Sequence, residues 1–113
     1  MNWYTSKIVF QIICGNGIHT PQFDSQVRLI MANTEDEAYV KASKIGIAEQ
    51  DSFTNKAFEK VEWKFIAVTE ISRITELKDG IEVYSQIDEN DNPANYISML
   101  VQKEKSLQTV FVN

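Results

Sequence analysis

The sequence predicts an α+β fold: a two-layer sandwich with an antiparallel sheet of four to five strands and two helices on one face, in the order ββα-ββα-β. Three observations carry this. Several segments alternate apolar and polar residues with the period of two that belongs to strands. Two others space apolar residues at the helical period and open on capping residues. Glycine, asparagine and aspartate clusters separate them, as turns require.

The first strand is read from Tyr4, Ser6, Ile8, Phe10, Ile12 and Cys14, alternating with Thr5, Lys7, Val9, Gln11 and Ile13. Gly15-Asn16-Gly17 ends it, since these residues tolerate positive φ. Phe23, Val27, Leu29 and Met31 alternate with Asp24, Gln26, Arg28 and Ile30, giving a second strand antiparallel to the first.

Thr34 is a helix N-cap and Glu37 completes a capping box, with Glu35 and Asp36 adding charge the helix dipole favours. Ala38, Ala42, Ile45 and Ala48 form a narrow apolar face, and the helix runs to about Gln50 with Gly46 weakening its last turn. The stretch from Asp51 to Lys60 is expected to be a loop anchored by Phe53 and Phe58.

Val61, Trp63, Phe65 and Ala67 define a third strand, with Ile66 and Val68 on its other side. Asp79-Gly80 is a turn, and Ile81, Val83, Ser85 and Ile87 predict a fourth strand. Asn92 caps a second helix, Pro93 takes its first position, and Tyr96, Ile97, Leu100 and Val101 give it an apolar stripe as far as Lys105. Leu107 to Val112 reads as a last strand, within a tail of residues 106–113.

The chain of 113 residues is one domain's worth, 43% hydrophobic and 24% charged, so a packed core rather than disorder is expected over residues 1–113. Its formal net charge is −5 and its 11 lysines and arginines are scattered. Nucleic acid and anionic membrane surfaces are therefore not expected partners, because both need a basic footprint. A basic protein partner suits the charge. A single cysteine, the lack of a secretory signal and the lack of a membrane-length apolar run point to the cytoplasm.

Chemical motifs are sparse. Cys14, His19 and Asp24 supply the residue types of a nucleophile, a base and an orienting acid. Against that, Cys14 sits on the apolar face of a strand, where cysteine behaves as a small hydrophobe. One histidine and one cysteine do not supply the clustered ligands that a structural zinc site within one chain usually needs. Asp88-Glu89-Asn90-Asp91-Asn92 starts like a calcium loop, but Pro93 stands where the turn glycine belongs and Met99 where the bidentate glutamate belongs. Gly15-Asn16-Gly17 leads to a strand, not to the helix a dinucleotide fingerprint needs. No cofactor, metal or catalytic residue is assigned.

Together, Trp3-Tyr4, His19-Thr20-Pro21-Gln22-Phe23-Asp24, Arg28-Leu29-Ile30, Asp51-Ser52-Phe53, Trp63-Lys64-Phe65-Ile66 and Asp79-Gly80-x-Glu82-Val83-Tyr84-Ser85 resemble a bacterial family of uncharacterised proteins, domain of unknown function 4288. The resemblance spans Trp3 to about Lys103. It implies a bacterial cytoplasmic stand-alone domain and supplies no catalytic residues.

The expected function is a non-enzymatic protein-interaction or binding module. The alternative is a small-molecule-binding protein or weak enzyme, with a site in the loop between the first two strands. His19, Asp24 and Asp51 would supply its polar groups and Phe23 or Trp63 its wall. A homodimer is expected as well. Both faces of the sheet read as partly apolar, and Val110, Phe111 and Val112 end the chain as an apolar segment fit for an interface.

Overall fold

The computed structural model describes residues 1–111. Its elements are β1 (Asn2–Cys14), β2 (Gln22–Ala32), α1 (Glu35–Ala48), β3 (Asp51–Thr54), β4 (Lys60–Ile74) and α2 (Pro93–Phe111). The four strands form one antiparallel sheet in the order β2-β1-β4-β3. The fold is α+β as expected, but its strands differ from the predicted set.

Three differences have physical causes. Asp51–Thr54, expected as loop, is the short edge strand β3, because Phe53 pairs with Val61 and Asp51 with Trp63. Residues 81–87 form no strand: the chain after β4 instead crosses the open face of the sheet, where Tyr84 meets Lys7. The turn at Gly80 does form, at φ +81°. Leu107 to Phe111 continues α2 rather than starting a strand, and Val112, the last of the expected strand, lies outside the described residues.

The local signals that set the elements are visible in the bonds. Thr34 Oγ1 accepts from the Glu37 amide (3.2 Å), and Glu37 Oε2 accepts in return from the Asn33 amide (3.3 Å). Gly15 and Gly17 take φ of +61° and +82° to turn the chain out of β1. Asn92 Oδ1 accepts from the Asn95 amide at the start of α2 (3.1 Å), with Pro93 just inside it.

The core lies between α1 and one sheet face. Tyr4, Ile8, Phe10, Ile30 and Ala32 from the sheet meet Ala38 and Ala42 from the helix, all nearly or fully excluded from solvent. Ile45, Trp63, Phe65, Val68 and Ile71 pack around them. Val68 belongs to this side, not to the opposite one predicted for it. Two register shifts between β1 and β4, at Lys7/Ile8 and Val9/Phe10, insert extra residues into β4 and change its phase. Such bulges also strengthen twist, which curls the sheet around α1.

Only α1 covers this face. The expected pair of helices on one side is not found, because α2 touches no other element among the described residues. On the other face, the segment after β4 crosses the sheet: Tyr84 Oη lies 3.4 Å from Lys7 Nζ, and the ammonium stands 5.6 Å from the ring centre.

Candidate functional site

Strand β2 presents Asp24, Gln26 and Arg28 on the α1 side of the sheet, at i, i+2 and i+4. They lie beyond the stretch that supplies Ile30 and Ala32 to the core. A chain of hydrogen bonds fixes them. Trp63 Nε1–H donates to Asp24 Oδ2 (3.2 Å), and Gln26 Nε2 donates to the same oxygen (2.7 Å). Arg28 donates through Nε (3.1 Å) and Nη2 (2.7 Å) to Gln26 Oε1. Its Nη1 reaches Glu49 Oε1 at the end of α1 (3.1 Å). The Gln26 amide thus turns its NH2 to a carboxylate and its oxygen to a guanidinium, the orientation charge complementarity requires.

Beside this row is a cleft of about 440 Å³, lined by Phe10, Asp24, Gln26, Glu49, Asp51, Phe53 and Trp63. Phe53 stacks on Trp63 with ring centres 6.4 Å apart and planes at 21°. Phe10 meets Phe65 edge to face at 6.2 Å behind it. Asp24, Glu49 and Asp51 give the cleft a negative lining beside the stacked aromatic pair, with Asp24 and Glu49 already engaged by Trp63, Gln26 and Arg28. Nearby, on the β3–β4 hairpin, Lys60 Nζ lies 2.8 Å from Glu62 Oε1. That hydrogen bond, and then the lysine's charge, hold the Glu62 carboxyl below its ordinary range. The pair is open to solvent and adds little to stability.

Of the five residues proposed for a ligand site, the structure brings Asp24, Asp51 and Trp63 together. Phe23 is on the opposite sheet face and mostly exposed. His19 stays in the β1–β2 loop: its Nε2 accepts from the Cys14 amide (3.0 Å) and its Nδ1 pairs with the Thr20 carbonyl (2.8 Å). These two bonds clip the loop to the end of β1. It does not line the Asp24 cleft, so the loop between the first two strands does not gather the expected site. Cys14 is half-buried and receives a long contact from Asn55 Nδ2 (3.7 Å). Gln26, Glu49 and Phe53 were not foreseen. Phe58, expected as an anchor, is almost wholly exposed at the hairpin tip.

The second unpartnered feature is α2. None of its residues is buried, and Tyr96 alone is half-buried, its hydroxyl 3.4 Å from Asp88 Oδ2. Val110 and Phe111, predicted for an interface, lie on its last turn and are exposed at 71% and 76%; Val112 lies outside the described residues. No helix among the described residues is long and apolar enough to cross a membrane. Among the described residues no cluster of three or more histidine, cysteine, aspartate or glutamate side chains is placed to hold a metal ion.

The fold and the cleft define a small α+β domain. Residues 3–85 match the family described as a domain of unknown function (DUF4288), and the chain belongs to that family. The match takes in the sheet, α1 and the segment through Ser85, and stops short of α2. Neither the curated proteins nor the solved structures gave a match.

Proposed function

We propose that the protein is a non-enzymatic protein-interaction module that docks through α2. The observation that carries this is a 19-residue helix with an apolar stripe and, among the described residues, no contact with any other helix or strand. Ile97, Leu100, Leu107 and Phe111 fall along one side at spacings of three, seven and four. Each is at least 43% exposed. Most helical stability in proteins comes from packing an apolar face rather than from propensity. A partner's groove supplies that packing.

The charge says what the groove looks like. Between β4 and α2, Glu76, Asp79, Glu82, Asp88, Glu89 and Asp91 stand against Lys78 alone. This segment carries the whole of the chain's formal −5, and the remainder is balanced. A partner with an apolar groove rimmed by lysine or arginine fits both features.

The test uses the double variant Leu100→Asp, Leu107→Asp. The full chain, immobilised, retains a protein from lysate of its native host, and retention weakens as salt rises and the screening length falls from ~10 Å at 0.1 M to ~3 Å at 1 M. Both positions are exposed, so the body folds unchanged. Truncating an interface anchor costs about 2 kcal/mol or more, close to 30-fold each, so the double variant should lose the protein entirely. Equal retention by both chains removes the proposal.

A further inference from the structure

Beyond α2, the sheet has a second open surface, and we infer that a second copy of this chain occupies it: β2 pairs antiparallel with β2 of the other copy, centred on Val27. This dimer does not depend on the docking role of α2.

The two edges of the sheet are unlike. One is β3, four residues long, continued beyond Trp63 by the unpaired side of β4, which carries Lys64 and the two bulges; short, charged and bulged edges are poor templates for another strand. β2 is eleven residues long and pairs with β1 without interruption from Ala32 to Gln22. At about 3.4 Å per residue, that is roughly 37 Å of regular edge. Proteins that stay monomeric blunt such an edge with proline, lysine, inward charges or a bulge. β2 has no proline, no lysine and no bulge. It does carry two inward charges, but each is already engaged within its own chain, Asp24 by Trp63 and Gln26, Arg28 by Gln26 and Glu49, so neither is left to be buried unpaired by an added strand. Among the described residues, Lys41 is the one side chain bonded to the β2 main chain, at the Met31 carbonyl (2.7 Å) near one end.

The side chains on the other face point the same way. Phe23 is 58% exposed, Val27 45%, Leu29 58% and Met31 37%. A two-fold axis perpendicular to the sheet keeps each face aligned with itself, and centring it on Val27, the middle of β2, pairs all eleven residues. Phe23 then faces Met31 of the other copy, Ser25 faces Leu29, and Val27 faces itself. On the α1 side Gln26 faces Arg28 and Asp24 faces Ile30, so no like charges meet. A centre on Arg28 would set two guanidinium groups against each other. The Val27 register makes one eight-stranded sheet from two four-stranded ones and joins the apolar columns as cross-strand pairs.

Self-opposition at Val27 gives the test. Full-length Val27→Lys and Val27→Glu are prepared separately and their masses followed by sedimentation against concentration, with circular dichroism confirming the native fold of each. The unaltered chain is expected to be a dimer. Each variant sets like charges across the axis and should dissociate at least tenfold more readily. An equimolar mixture should recover the dimer as a Lys–Glu heterodimer. Lys7, the β1 neighbour of position 27, acts within each chain and is unchanged by mixing. The Leu100→Asp, Leu107→Asp chain should remain a dimer, which separates this interface from α2. An unaltered chain that is monomeric throughout, variants that stay dimeric, a mixture no different from its components, or a dimer lost in the α2 variant would each overturn the inference.

Discussion

Phe10→Ala should lower the unfolding free energy by about 3–5 kcal/mol, read from urea denaturation followed by Trp fluorescence. Phe10 is 1% exposed and is the largest fully buried side chain. It stands mid-sheet, opposite Asp24 on β2 and Phe65 on β4, and joins the core under α1 to the floor of the cleft. Removing the ring opens a cavity that β1 cannot close, because its register is fixed by pairing with β2 on one side and β4 on the other. Domains of this size keep about 5–15 kcal/mol in all, so the loss takes a large part of it. The variant should also loosen the Phe53–Trp63 stack, moving the Trp emission of the folded state. A loss below about 1 kcal/mol would mean that the site collapses freely and that Phe10 is not central to the core.

Gly46→Val should cost about 3 kcal/mol, the upper end of what overpacking usually does. Ordinary helix propensity says the reverse, since glycine is the weaker helix former by up to about 1 kcal/mol. Geometry decides it. A Cβ built on Gly46 would lie 2.4 Å from Phe65 Cδ1 and 2.5 Å from Cε1. The ring is packed edge to face with Phe10, which limits its freedom to move aside. Gly46 therefore lets α1 lie directly on β4, and valine would push the last turn off the sheet along with Glu49, the partner of Arg28. The midpoint of thermal unfolding measures it. An unchanged or raised midpoint would show that α1 tolerates the displacement.

Several features were legible because local chemistry dictates them. The Thr34–Glu37 cap, the glycine turn at residues 15–17 and the alternation of β1 each rest on neighbours in sequence. What was not legible depends on tertiary context. β2 carries its more apolar set, Phe23, Val27, Leu29 and Met31, on the exposed face, while the polar Asp24, Gln26 and Arg28 share the α1 side. Alternation gives the period but not which face is inward. Bulges moved Val68 across the sheet, and pairing frequency in sequence does not reveal a bulge. Gly46 read as a weak point in a helix, because Phe65, the ring it accommodates, is nineteen residues away. Leu107 to Val112 read as a strand because a short apolar run is ambiguous. Its spacing from Leu100 to Phe111 carries the helical register on. The cleft was half legible: Asp24, Asp51 and Trp63 were chosen as lone polar or aromatic residues, and their convergence comes from the sheet order.

A docking role for α2 requires that it stay unpacked against the sheet and α1, as it does among the described residues. The most direct measurement is the urea-unfolding free energy of the full chain against a chain ending at Asn92. Residues 3–85 hold the family match, the whole core and the sheet, so the shorter chain should unfold with the same free energy, within about 0.5 kcal/mol. A loss of about 2 kcal/mol or more on truncation would show α2 packed on the domain that carries it, and would contradict its role as a free docking helix.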